Sequence, residues 1–157
     1  MSEDDDSPSS LALRITSLAA RLARRHIATI GPLWSAGLRE IALLLTSELV
    51  TNALRYGNGG SIGLTVRRTP DTVRVEVQDG NPAAPQLSRN LDGTGERGRG
   101  LHLIDSLATR WGHTPSADPA GKTVWFELHH RHAAPDDRSQ RPATTAATAS
   151  AHRSATR

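Results

Sequence analysis

The chain has 157 residues, with 19 Lys and Arg against 16 Asp and Glu, for a formal charge of +3. That length suits one domain rather than two, and 36% apolar residues with 13 glycines is an ordinary globular composition, which excludes wholesale disorder. No run approaches the roughly 18 apolar residues of a membrane span, and zero cysteines exclude disulfides, a thiolate nucleophile and a Cys-ligated zinc. Acids at Glu3, Asp4, Asp5 and Asp6 stand where a signal peptide would carry positive charge, so a soluble, cytoplasmic protein is expected.

Lys122 is the only lysine; every other cation of the Lys/Arg set is arginine. With no dense basic stripe and only three Trp, one Tyr and one Phe for stacking, solvated surface arginines are expected rather than direct nucleic-acid binding. Residues 1–10 are acidic and Ser-rich, and residues 133–157 hold eight Ala and four Thr but no Leu, Ile, Val or Phe. Neither segment offers enough apolar surface to offset its ordering entropy, so both are expected to be disordered around a domain at 11–132.

The alternation Leu11-Ala12-Leu13-Arg14-Ile15 suggests a short strand. A first helix is expected from Ser17 as N-cap, with Leu18, Leu22 and Ile27 on its inner face. Pro32 and Gly37 punctuate a loop, and a longer helix runs from about Ser35 to Tyr56, ending at Gly57. Ile62, Leu64 and Val66, then Val73, Val75 and Val77, alternate about Thr69-Pro70-Asp71, a β-hairpin. Residues 80–97 form a polar loop. A third helix over 98–110 turns Leu101, Ile104, Leu107 and Ala108 inward, and 109–113 with 122–129 form a second strand pair. This order is not the alternation of a doubly wound fold. It predicts an α+β two-layer sandwich: a largely antiparallel, mixed sheet covered on one face by helices.

Three polar clusters interrupt this pattern. On the long helix, the apolar stripe centred on Leu38 includes Ile41, Ala42, Leu45, Leu49 and Ala53, yet Asn52 falls within it and Glu48 at its edge. Spaced i, i+4, these two point the same way. The simpler reading is that they cap backbone groups. The functional one is that they face a cavity, where an amide oxygen could ligate Mg²⁺ and a carboxylate could take a proton from an attacking hydroxyl. Second, a strand ends in Asp79-Gly80-Asn81-Pro82. That is either a turn or a pocket carboxylate that accepts from an exocyclic amine such as adenine's.

The third cluster, Gly93-Thr94-Gly95-Glu96-Arg97-Gly98-Arg99-Gly100, opens a helix, a construction suited to phosphate. It contains G-x-G-x-x-G, but no strand precedes it, so a dinucleotide-binding reading fails. Gly121-Lys122-Thr123 is not a Walker A loop either, because Ser116 replaces the upstream glycine. His26 lacks the acid that would follow a phosphoacceptor histidine and is read as structural. His129, His130 and His132 lack suitably spaced acid or Cys partners, and surface histidines are the simpler reading.

Taken in order, these segments resemble the GHKL superfamily of ATPases and kinases. Glu48–Gly57 (ELVTNALRYG) resembles its N box, Val77–Pro82 its first glycine box, Gly95–Leu101 its second glycine box and lid, and Gly121–Leu128 its last box. In the first glycine box, Asn81-Pro82-Ala83 stands where the common pattern has its second glycine. ELVTNA, GRGL, Arg110-Trp111-Gly112 and GKTVWFEL most resemble the small bacterial anti-sigma-factor serine/threonine kinases.

The resemblance implies a Bergerat-type fold with ATP and Mg²⁺ as cofactors. Asn52 would hold the metal, Glu48 would act on the acceptor hydroxyl, and Asp79 would read adenine. Gly98 and Gly100 would wrap the phosphates and Thr123 would support Asp79 or its bridging water. Arg55, Asn81, Gly95, Arg99 and Leu101 would complete the nucleotide site. It also implies an anti-anti-sigma (STAS) substrate, a sigma factor as possible second partner, transcription regulated by partner switching, and a homodimer. The alternative is a non-catalytic ATP-binding regulator that sequesters a sigma factor or another protein.

Overall fold

The computed structural model describes residues 7–14, 16–31, 34–58, 60–86, 99–116 and 121–129. Residues 1–6 and 133–157, His130 and His132, and the glycines at 93, 95 and 98 lie outside the described residues; Ser9 and Ser10, expected in a disordered tail, instead open β1, because they pair with Val66 and Thr65 of β2. The elements are β1 (Ser9–Arg14), α1 (Ala19–Ile30), α2 (Ala36–Tyr56), β2 (Ser61–Arg68), β3 (Thr72–Asp79), α3 (Arg99–Leu107), β4 (Arg110–Pro115) and β5 (Lys122–His129).

The strands form one five-stranded sheet, ordered β1-β2-β3-β5-β4. Every pairing is antiparallel, so the sheet is not mixed. β2 and β3 form the expected hairpin, closed where Thr69 N–H donates to Thr72 O at 2.8 Å. The α3–β4 segment leaves β3 and returns the chain so that β5, not β4, lies beside β3. That order brings the end of β3 and the start of β5 together.

Alternation decides the sheet's two faces. Leu13, Ile62, Leu64, Val66, Val73, Val75, Val77, Val124, Phe126 and Leu128 are buried in one core with the helices. On the other face, Arg74 lies over the Trp125 ring at 3.8 Å and pairs with Glu76 and Glu127 at 2.8 and 2.9 Å. Gly112 stands opposite Trp125, where a Cβ would meet the indole at 2.9 Å, so a bare backbone there lets the ring lie flat.

The helices depart from the expected faces. α1 starts at Ala19 behind Leu18, without a side-chain cap from Ser17, and buries Ala19, Ala23 and Ile27. Leu18 and Leu22 are 54% and 46% exposed. The small alanines let α1 approach α2 closely, and the larger leucines are left outside that contact. α2 does begin on Ser35, whose Oγ accepts from Leu38 N–H at 3.2 Å. Its buried face comprises Ala42, Leu45, Thr46, Leu49, Val50 and Ala53, rotated away from Leu38 and Ile41, which are only partly covered. α3 ends at Leu107, which is exposed; Leu101 and Ile104 carry its packing. His26 is near Ser9, with Nε2 and Oγ 3.2 Å apart, and ties α1 to β1.

The shifted α1 face has a direct check by chemical denaturation. Leu22→Ala should change stability by no more than about 0.5 kcal/mol. Ala23→Leu should cost ~1–3 kcal/mol through overpacking.

Candidate functional site

A cavity of about 410 Å³ opens where the C-terminal half of α2, the end of β3, the start of β5 and the start of α3 converge. Leu49, Ala53, Val77, Leu101 and Val124 form apolar walls, and its polar groups include Asn52, Asp79, Asn81 and Lys122. An apolar slot with few polar groups is the usual form of a small-molecule site.

Asp79 is 7% exposed, at the last position of β3. Its Oδ1 accepts from the N–H of Asn81 at 2.8 Å and from Lys122 Nζ at 2.9 Å. The first bond is the turn that an Asp-Gly at a strand end suggests. The pocket reading holds simultaneously, because the carboxylate has two oxygens. Among the described residues Oδ2 has no hydrogen-bond partner, so it remains available to a donor in the cavity.

Lys122 was not among the expected site residues. It is 6% exposed, pairs in register with Asp79, and donates also to Asn81 O at 2.9 Å. It displaces Thr123 from the expected role. Thr123 stands opposite Gln78, and strand alternation turns it to the face away from Asp79 and the cavity. A sequence signal for Lys122 did exist: the lone lysine occupies the inward phase of Val124, Phe126 and Leu128.

Neighbouring backbone holds this corner tightly. The Asn81 side-chain amide donates to Tyr56 O at the end of α2, and its Oδ1 accepts from Ala83 N–H at 2.9 Å. Asn81 lines the cavity but also braces β3 against α2. Gly121 packs on Asp79, and a Cβ there would stand 2.5 Å from its carbonyl oxygen.

Asn52 lines the cavity and Glu48 lies one turn back, both half-buried. Among the described residues neither side chain has a hydrogen-bond or ion-pair partner, so the capping reading is not what the structure shows. Both face the first turn of α3. A Cβ on Gly100 would lie 2.5 Å from Glu48 Oε2 and 3.4 Å from Asn52 Nδ2. The bare backbone therefore brings α3's first turn, the positive end of its dipole, close to a carboxylate and an amide. Arg99 is exposed at the start of α3 and Leu101 forms a wall. Arg55 is exposed and does not line the cavity. Gly95 and Gly98 lie outside the described residues.

These groups suit a nucleotide with its metal: a carboxylate oxygen that accepts from an amine, and an amide oxygen, a suitable ligand for a hard cation. Among the described residues no group of three His, Cys, Asp or Glu could hold a metal, and no helix is long and apolar enough to cross a membrane.

Two glycine substitutions separate fold from site. Gly121→Ala drives a methyl into backbone and should cost about 1–3 kcal/mol in a thermal melt. Gly100→Ala clashes mainly with the movable Glu48 carboxylate, so stability should change by less than about 1 kcal/mol. Lys122→Met leaves a buried carboxylate unpaired and should cost ~3–5 kcal/mol.

A model of the histidine kinase-like ATPase domain family matches residues 10–128. No curated protein matches the chain.

Proposed function

The chain belongs to the histidine kinase-like ATPase domain family, a GHKL-type ATP-binding family, and from that premise we propose that it is a protein serine/threonine kinase of the anti-sigma-factor type. Its substrate would be a Ser or Thr hydroxyl on an anti-anti-sigma (STAS) protein, and its output partner switching with a sigma factor. The observation that carries the reading is the polarity of the cavity. Asp79, with one oxygen unpartnered among the described residues, and Asn52 both line it, and Glu48 stands one turn from Asn52 against Gly100 at the start of α3. The wording of the four ordered boxes supports the anti-sigma assignment.

In this reading Asp79 Oδ2 accepts from adenine's exocyclic amine, while Leu49, Ala53, Val77, Leu101 and Val124 exclude water from the base. The Asn52 amide oxygen would hold Mg²⁺, which would offset phosphate charge. The first N–H groups of α3 would face the phosphates. The acceptor oxygen bonds to the γ-phosphorus, the bond to the β–γ bridging oxygen breaks, ADP departs, and Glu48 takes or orients the hydroxyl proton. Positioning and charge neutralisation carry most of such a reaction.

Calorimetry and radiolabel transfer test this in two steps. Wild type should bind ATP in a Mg²⁺-dependent manner, and Asn52→Ala should lose that dependence; wild-type behaviour in the variant would exclude the assigned role. Glu48→Gln should retain ATP binding but lower transfer to a STAS partner by about 10²–10⁴-fold. Binding without transfer to any STAS substrate, even by wild type, would favour a non-catalytic regulator that sequesters its partner.

A further inference from the structure

Lys122 has more donors than the protein uses. An ammonium carries three N–H groups. One goes to Asp79 Oδ1 at 2.9 Å and one to Asn81 O at 2.9 Å. Among the described residues nothing accepts the third, and Lys122 lines the cavity. A buried ammonium with an unused donor is costly unless a ligand or water accepts it.

The pairing also sets an order of groups at the cavity floor. Asp79 and Lys122 sit side by side on adjacent strands, with Oδ1 taken and Oδ2 open. An acceptor therefore stands next to a donor. Adenine presents the complementary order on its Watson–Crick edge: an exocyclic amine that donates, then the ring nitrogen N1 that accepts. Guanine presents the reverse, a carbonyl and then an N–H.

We propose that Lys122 is a second base-reading residue, donating its third N–H to N1 of adenine while Asp79 accepts from the amine. The assignment rests on the nucleotide reading of the cavity and extends it: a direct protein donor, not only the carboxylate, selects the base. Lys122 thereby acts as both the brace of Asp79 and a specificity determinant. Its neighbours enforce this position, because Gly121 packs on the Asp79 backbone and the Asn81 carbonyl holds the ammonium from the other side.

An analogue of ATP with N1 replaced by C–H (1-deaza-ATP) isolates the contact without altering the protein. By calorimetry, wild type should bind ATP at least about tenfold more tightly than 1-deaza-ATP, since the ammonium loses its acceptor. In Lys122→Met, confirmed folded by circular dichroism, the two ligands should bind within about twofold of each other. If Lys122 were a structural brace alone, Lys122→Met would lower both affinities and the wild-type ratio would be near one, which would overturn the assignment. Equal binding of ATP and 1-deaza-ATP by wild type would overturn the assignment of Lys122 and leave the ATP site intact. Failure of wild type to bind ATP at all would instead overturn the nucleotide reading, and this assignment with it.

Discussion

The buried pair between Asp79 and Lys122 is the constraint around which the site is arranged. Two opposite charges, each less than a tenth exposed, meet where the last residue of β3 faces the first of β5. Such a pair is a poor source of stability compared with apolar residues of the same shape, because both ions lose their hydration. Once buried, however, neither can be left alone. The carboxylate is held by the ammonium and a backbone N–H, and the ammonium by the carboxylate and a backbone carbonyl. These bonds fix one carboxylate oxygen and leave the other without a partner among the described residues. A flexible surface aspartate would have to pay that ordering entropy on binding; here it is met during folding.

The strand order makes the pair possible. Because β5 inserts between β3 and β4, residues more than forty positions apart in sequence become register partners. The same arrangement sets the start of α3 against α2 beside the strand ends. Gly100 then admits Glu48 and Asn52 to within contact of α3's first turn. α2 serves two purposes on adjacent faces: Ala42, Leu45, Leu49 and Ala53 enter the core, while Glu48 and Asn52 flank that face and stay half-covered. The core packing of α2 thus holds the polar pair in place without burying it.

Much of this was legible beforehand where the signal was local. The β2–β3 hairpin follows from period-two alternation about Pro70-Asp71, and the start of α2 from a serine cap; both stand as expected. Asp79 at a strand end presented two readings, and the structure satisfies both because a carboxylate has two oxygens. Faces were less legible than elements. On α1 the leucines Leu18 and Leu22 are the obvious apolar stripe, yet alanines one residue on make the contact. Close helix approach favours small side chains, and hydrophobicity by itself does not encode the distance to a neighbour.

Sequence pattern therefore determined what depends on neighbouring residues: the order of the elements, the alternation of the strands, the resemblance of four ordered segments to one family, and the polar residues on an otherwise apolar helix. Tertiary structure alone decided which distant groups meet. Alternation along β5 places Lys122 on the inward side with Val124, Phe126 and Leu128, and Thr123 on the other. Only the β3–β5 register sets that lysine beside Asp79. The reason is geometric: a strand reverses its side chains at every residue, so a one-residue difference in pairing changes which chemistry enters the site.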